Sequence, residues 1–188
     1  MRYPHSFKTY HKVVSHANRG MNLEELINDA NKYYKDNSVA LISKKPTPIG
    51  IVSVKNENSK KIITKAFFKE QSTLDYVGVY KGYYIEFDAK ETLSKTSFPL
   101  NNISTHQIDH IKGVINQKGI SFLIIKINNE YYILDGNTLV SFINKEKRKS
   151  IPLEYIKKYG YLIHSKGLIK LDFISSLDNL IGGFHEKN

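Results

Sequence analysis

The chain contains no cysteine. Disulfides and thiolate metal sites are therefore excluded, and a reducing cytoplasm suits the composition. Arginine is scarce, with only Arg2, Arg19 and Arg148, so lysine carries most of the positive charge. No stretch approaches the roughly 20 apolar residues that a membrane-spanning helix needs. Residues 1–20 are polar, hold His5, His11 and His16, and lack an apolar centre, so no signal peptide is expected. There is no Gly-x-Ser-x-Gly elbow for a serine hydrolase and no Gly-x-x-x-x-Gly-Lys loop for an intrinsic ATPase. Internal repeats and low-complexity segments are absent as well.

What remains is a basic chain of globular composition. Its 188 residues suit one domain with a proper core. An apolar fraction of 40% with 12% aromatics argues for folding rather than disorder. The formal net charge is +10, which favours a polyanionic partner. An abundance of Lys, Asn and Ile also reflects AT-rich coding, but that does not explain why acids fail to balance the lysines. Charge by itself does not distinguish DNA, RNA and membrane.

Residues 1–20 read as a flexible basic arm, followed by a single domain over 21–188. Asn22 to Glu25 has the form of a capping box, and Leu23, Leu26, Ile27, Ala30 and Tyr34 follow at helical spacing to about Asn37. Val39 to Ile42 is a short apolar strand, broken by Pro46 and Pro48. Ile49–Val54 and Ile62–Phe68 form a hairpin across the polar stretch 55–61. Its length predicts that it projects from the body. Tyr83 to Ala89 is a strand, and Ser104 or Thr105 caps a helix through Ile108, Ile111 and Ile115. Ser121–Ile127 reads as a central strand that turns at Asn128-Asn129 into Tyr131–Leu134. A helix over 135–143 and a basic run, Lys145 to Lys149, come next. Pro152 suits the first turn of a short helix. Strands near 161–164 and 169–173 precede a last helix over 174–181, ended by Gly182-Gly183. The order predicts a mixed α/β core with the acidic strand at its centre.

That strand carries the chemistry. Side chains alternate across a strand, so Glu86, Asp88 and Lys90 share one face while Phe87 and Ala89 share the other. A bare Asp-x-Lys is usually only a charged strand face. Here Thr73-x-Asp75 precedes it and Gln107 opens the helix that follows. A hydroxyl, two carboxylates and an amide oxygen are the hard donors that Mg²⁺ accepts. A cation would also relieve the repulsion between gathered acids. The lysine would stabilise charge developing on a phosphate. His106 and His110 lie one helical turn apart, but Gln107 stands where a zinc protease needs Glu, and no third ligand is evident. His106 is expected beside the acidic cluster or against phosphate, and His110 on the helix surface. The pairs Tyr33-Tyr34, Tyr83-Tyr84 and Tyr131-Tyr132 are expected mostly to pack in the core.

Longer blocks point to a specific group. They are Asn18-Arg19-Gly20-Met21, Asn31-Lys32-Tyr33-Tyr34, Lys44-Lys45-Pro46-Thr47-Pro48, Ser72-Thr73-x-Asp75-Tyr76-x-Gly78-Val79-Tyr80-Lys81-Gly82, Ala89-Lys90-Glu91-Thr92, Lys95-Thr96-Ser97-Phe98-Pro99-Leu100 and His106-Gln107. In these the chain resembles the RecU family of Holliday-junction resolvases, within the PD-(D/E)xK nuclease group, over nearly its whole length. The resemblance implies a restriction-endonuclease-like fold: a mixed central sheet flanked by helices, with a protruding β-hairpin stalk at about 46–68. It implies a Mg²⁺-dependent endonuclease, with Mn²⁺ as a substitute, in which Thr73, Asp75, Asp88 and Gln107 hold the cation and Lys90 stabilises the transition state. It further implies DNA contacts from Arg19, Lys45, Lys81, Lys95, Thr96 and His106. The expected partners are four-way branched DNA, a second copy in a homodimer, and recombinase and branch-migration proteins at the nucleoid. Two departures stand out. Asp88 occupies a position where the family usually has Glu, and Glu86 one where it commonly has Asp, so Glu86 is an auxiliary acid candidate. The tail from Ser150 matches loosely. The alternatives are a junction-binding scaffold that does not cut and a general basic RNA- or chromosome-binding protein.

Overall fold

The structure is a computed structural model that describes residues 22–69 and 73–185, with the side chains of 183–185 set apart. The basic arm and Arg19 lie outside the described residues. The body is built on a six-stranded sheet. Its strands are β1 (Leu41–Lys44), β4 (Tyr76–Tyr80), β5 (Tyr83–Glu91), β7 (Ile120–Ile127), β8 (Glu130–Asp135) and β10 (Tyr161–Leu162), in the order β1-β4-β5-β7-β8-β10. Only the β5–β7 pair is parallel; the other neighbours run antiparallel. A parallel neighbour requires a crossover, and helix α2 (Thr105–Asn116) supplies it.

The pleat sorts the two cores. Ile85 and Phe87 of β5, with Ile120, Phe122 and Ile124 of β7, face helices α1 (Leu23–Asp36) and α5 (Phe173–His185). Leu123, Ile125 and Ile127 point the other way, onto α2, α3 (Gly136–Lys145) and α4 (Leu153–Tyr159). Phe87 is fully buried, stacked on Tyr76 at 4.8 Å and on Phe122 at 4.7 Å between ring centroids. This packing fixes the register of β5 and so turns its even-numbered residues toward α2.

Three hairpins close on two-residue turns with positive φ at both positions: Asn58-Ser59, Lys81-Gly82 and Asn128-Asn129. Such turns match the right-handed twist of the strands. The β2–β3 hairpin, Ile49–Glu57 with Lys60–Phe68, forms its own two-stranded sheet, and all its residues except Gly50 are exposed. It is the projecting stalk. Its ladder runs through the polar stretch expected to be loop, down to Glu57 paired with Lys60, because solvated polar residues pair backbones as readily as apolar ones.

Three strands were not anticipated, and several expectations need correction. Segment 76–80 is strand β4, and the short strands β6 (Ser97–Pro99) and β9 (Ser150–Pro152) pair with each other. Pro152 is the cap before α4 rather than a residue of its first turn. Residues 169–173 form no strand; the one bridge there joins Lys166 to Ile169. Helix α5 begins at Phe173 and passes through Gly182-Gly183 to His185. Phe173, Ile174, Leu177, Leu180 and Ile181 are buried at helical spacing, and that packing outweighs the low helix propensity of glycine. Among the described residues no helix is long and apolar enough to cross a membrane.

Candidate active site

The site forms where β5, the segment before β4 and the first turn of α2 meet. Glu86 and Asp88 are each 1% exposed, and both face α2. Lys90 follows on the same face, with its Nζ 3.0 Å from Asp88 Oδ2. Gln107 is the third residue of α2. Its Nε2 donates to Asp88 Oδ2 at 2.6 Å and to the Thr73 carbonyl at 3.2 Å. Its Oε1 accepts from the Ser104 N–H at 3.2 Å, one arm of a capping box, so the helix start and the site share one side chain. The Ala89 N–H donates to Asp88 Oδ1 at 2.8 Å. Burial pushes the Asp88 carboxyl above the ordinary carboxylate range; Lys90 pulls it back, and nearby Asp75 raises it further.

Thr73, Asp75, Asp88, Lys90 and Gln107 are thus gathered in one region, as are the strand acids. The donor chemistry is that of a hard cation: hydroxyl, carboxylate and amide oxygens without sulfur. A buried carboxylate with a raised pKa beside a second acid is an arrangement that a cation would stabilise. The amide of Gln107 presents nitrogen, not oxygen, to Asp88. Ligation through its oxygen requires the amide to turn and release the Ser104 N–H. Among the described residues no three His, Asp or Glu side chains gather as a metal cluster.

A second network adjoins the first and was not legible in the sequence. Glu86 Oε1 accepts from His110 Nε2 at 2.9 Å and forms a close ion pair with Lys45. Glu86 Oε2 accepts from the Tyr84 hydroxyl at 2.6 Å. Lys45 Nζ also donates to Thr73 Oγ1 at 2.6 Å, and the Lys45 N–H donates to the Asp75 carbonyl at 2.7 Å. Burial acts to raise the Glu86 carboxyl, but the bonds from Lys45, Tyr84 and His110 outweigh it, leaving the group below its ordinary range. Burial, followed by the neighbouring Glu86 carboxylate, pushes the Tyr84 hydroxyl up to about 12. His110 is therefore no mere surface residue. The only signal for it in the sequence was its spacing of one turn plus from His106.

The remaining candidates are dispersed. Lys95 and Thr96 are exposed on the β5–β6 loop just past Lys90. His106 is half-buried, with Nε2 3.2 Å from Ser104 Oγ. Lys81 sits in the β4–β5 turn, paired with Asp178 at 2.6 Å. It lies beyond the far end of β5, whose stretch from Tyr83 to Lys90 spans roughly 23 Å at about 3.3 Å per strand residue. A cavity of ≈ 530 Å³ lined by Tyr84, Glu86, Asp109, His110 and Lys118 opens beside the second network. A larger one, ≈ 630 Å³ and lined by Asp135, Phe142, Tyr155 and Tyr159, holds none of these acids.

A mixed sheet that buries a strand acid beside a strand lysine, with a helix-borne amide closing over it, makes this a mixed α/β protein with a charged site on its central strand. The particular family follows from comparison with known proteins. The model of the RecU family, Recombination protein U, matches residues 18–179, and the chain belongs to that family. The match includes most of the tail whose resemblance was loose. A Holliday junction resolvase RecU of Streptococcus thermophilus is 46% identical over 174 residues, covering 90% of this chain and 88% of that protein. A Holliday junction resolvase RecU of Bacillus mycoides is 45% identical over 183 residues, covering 94% and 90%. Among solved structures, the Holliday junction resolvase Hjc of Archaeoglobus fulgidus aligns with 72% of this chain and 92% of its own. At 6% identity and a TM-score of 0.42, that likeness is too distant to bear on the site.

Proposed function

We propose that this protein is a divalent-cation-dependent endonuclease that resolves Holliday junctions by paired, symmetric nicks in homologous recombination and repair. The observation that supports the reading is that Gln107 joins Asp88 to the Thr73 carbonyl, with Lys90 paired to Asp88 and Asp75 close enough to raise its carboxyl, in a chain 46% identical over 174 residues to a Holliday junction resolvase. Thr73, Asp75, Asp88 and Gln107 would hold the cation, with Mg²⁺ the expected ion and Mn²⁺ a substitute. When bound, such an ion supplies Lewis acidity toward the scissile phosphate and acidifies a water.

The chain's own groups do the rest. Asp88 and Asp75 provide fixed negative charge that fits a dication. Lys90, 21% exposed and already beside Asp88, neutralises charge on the phosphate as the water attacks in line. The P–O3′ bond breaks, leaving a 5′-phosphate and a 3′-hydroxyl. The lysine-rich surface, Lys95 and the stalk among it, tracks phosphates by shape rather than sequence. A homodimer places one site on each of two opposed strands. Work on chromosomal junctions implies a cytoplasmic, nucleoid-associated protein meeting recombinase and branch-migration factors.

A synthetic four-way junction incubated with and without Mg²⁺ tests this. Cuts at symmetric positions that require Mg²⁺ and vanish in Lys90→Ala are expected. One observation favours a second reading, a scaffold that binds and does not cut: both Asp88 oxygens already have donors within the protein, from Lys90, Gln107 and the Ala89 N–H. Retention of the junction in a gel with no product at any Mg²⁺ concentration would select the scaffold and refute the nuclease.

A further inference from the structure

We infer that Lys45 is a positioning residue of this site, and that Glu86 serves to hold Lys45 rather than to ligate the cation. The inference rests on the nuclease reading for the identity of the ligands Thr73 and Asp75. The geometry is specific. Lys45 follows the last residue of β1 and precedes Pro46. Its backbone N–H reaches the Asp75 carbonyl at 2.7 Å, adding one rung beyond the β1–β4 ladder, which ends at Lys44 opposite Tyr76. Its ammonium turns inward to the Thr73 hydroxyl at 2.6 Å. One residue therefore holds both candidate ligands of the segment before β4, one through its side chain and one through its backbone.

Glu86 explains why a lysine turns inward there. The Lys45 side chain is 27% exposed, whereas the Glu86 side chain is 1% exposed and directly paired with it. Glu86 Oε1 takes Lys45 and His110, with Thr73 Oγ1 at 3.5 Å, and Oε2 takes the Tyr84 hydroxyl. Among the described residues these bonds run to Lys45, His110, Tyr84 and Thr73, and none runs to Asp88, Lys90 or Gln107, so Glu86 is committed to the Lys45 network. A flexible, strongly hydrated ammonium would otherwise extend into solvent. The carboxylate, itself oriented by His110 and Tyr84, pins the lysine and through it the Thr73 hydroxyl. Partners of this kind around metal ligands typically change metal affinity by about 10–100-fold when removed.

The test uses full-length protein, Mn²⁺ as the metal probe and a four-way junction as the DNA. Lys45→Met is expected to raise the Mn²⁺ dissociation constant, read by electron paramagnetic resonance of the free ion, by about ten-fold or more. The Mg²⁺ needed for half-maximal cleavage rises in step, while junction retention in EDTA stays within about two-fold. Glu86→Gln acts in the same direction. The double variant is no worse than Lys45→Met, because both substitutions break one chain of contacts. Lys45→Arg, which keeps the pair with Glu86, recovers part of the Mn²⁺ affinity and serves as the readout if Lys45→Met does not fold. Unchanged Mn²⁺ affinity in a folded Lys45→Met protein overturns the positioning role. So does a double variant whose losses multiply, which would make Glu86 a ligand in its own right. Loss of junction retention in EDTA would make Lys45 a phosphate contact and equally overturn the proposal. A wild-type protein that takes up Mn²⁺ and cuts no junction refutes the nuclease reading, a result separate from each of these.

Discussion

Gln107 joins helix start to active site, and two substitutions separate those jobs. Gln107→Ala removes the bond to the Ser104 N–H and the bonds to Asp88 and the Thr73 carbonyl. A lost cap costs about 1 kcal/mol. A lost hydrogen bond to a buried charge costs about 1.5–3 kcal/mol. The sum is a destabilisation of roughly 2–4 kcal/mol. Gln107→Glu keeps the cap but sets a second carboxylate against Asp88, where the amide now stands at 2.6 Å. Two such charges about 4 Å apart at an effective dielectric near 20 repel by about 4 kcal/mol. Protonating one of them at pH 7 costs about 1.4 kcal/mol per unit above an ordinary pKa near 4.3, again about 4 kcal/mol. Lys90, 3.0 Å from Asp88, offsets part of this, so the expected loss in EDTA is about 2–4 kcal/mol. For a chain of this size that lowers Tm by roughly 5–15 °C. A divalent cation at 100 times its Kd stabilises by about 2.7 kcal/mol. The added acid strengthens the donor set, so Mg²⁺ raises the Tm of Gln107→Glu by more than that of wild type, while Gln107→Ala gains least. Differential scanning calorimetry of the three proteins, with EDTA and with Mg²⁺, gives the result. If Gln107→Glu matches wild type in EDTA, or if Mg²⁺ shifts all three equally, the placement of this amide beside a cation-binding acid is wrong.

Two further outcomes follow from the packing. Phe87→Ala empties a fully buried site between Tyr76, Phe122 and Phe173 and is expected to cost about 3–5 kcal/mol, seen as a lower urea midpoint with an unchanged slope. Replacing residues 50–67 by a two-residue turn removes a hairpin that is almost wholly exposed, so Tm should stay within about 3 °C while junction retention falls; a collapse of Tm would show that the stalk supports the body.

The parts of the fold legible in sequence are those set by neighbours along the chain. The Asn22–Glu25 box caps α1 in both directions, at 2.8 and 3.1 Å. The polar turn of the stalk, the apolar run of β7 and the Asn128-Asn129 reversal stand where their residue types put them. The failures are equally local in origin. Strands β6 and β9 are three residues each and carry no alternation that marks them; they exist because Ser97–Pro99 meets Ser150–Pro152 across the fold. The tail read as strand near 169–173 because short apolar runs fit either element, and packing against the sheet chose helix from Phe173.

For the site, residue order along β5 already dictated that Glu86, Asp88 and Lys90 share a face, since pleating leaves no other choice. It also supplied an oxygen-only donor set and a positive net charge. Alternation alone left the two acids equivalent, and only the family resemblance ranked Asp88 above Glu86. Tertiary contacts separate them: Asp88 meets Gln107 and Lys90, while Glu86 is enclosed by Lys45, Tyr84 and His110. Lys45 lies 41 residues from Glu86 and His110 lies 24 from it, so no periodicity could have joined them. Alternation is a property of one strand, but the pKa and role of a carboxylate depend on which distant donors the fold brings within about 3 Å.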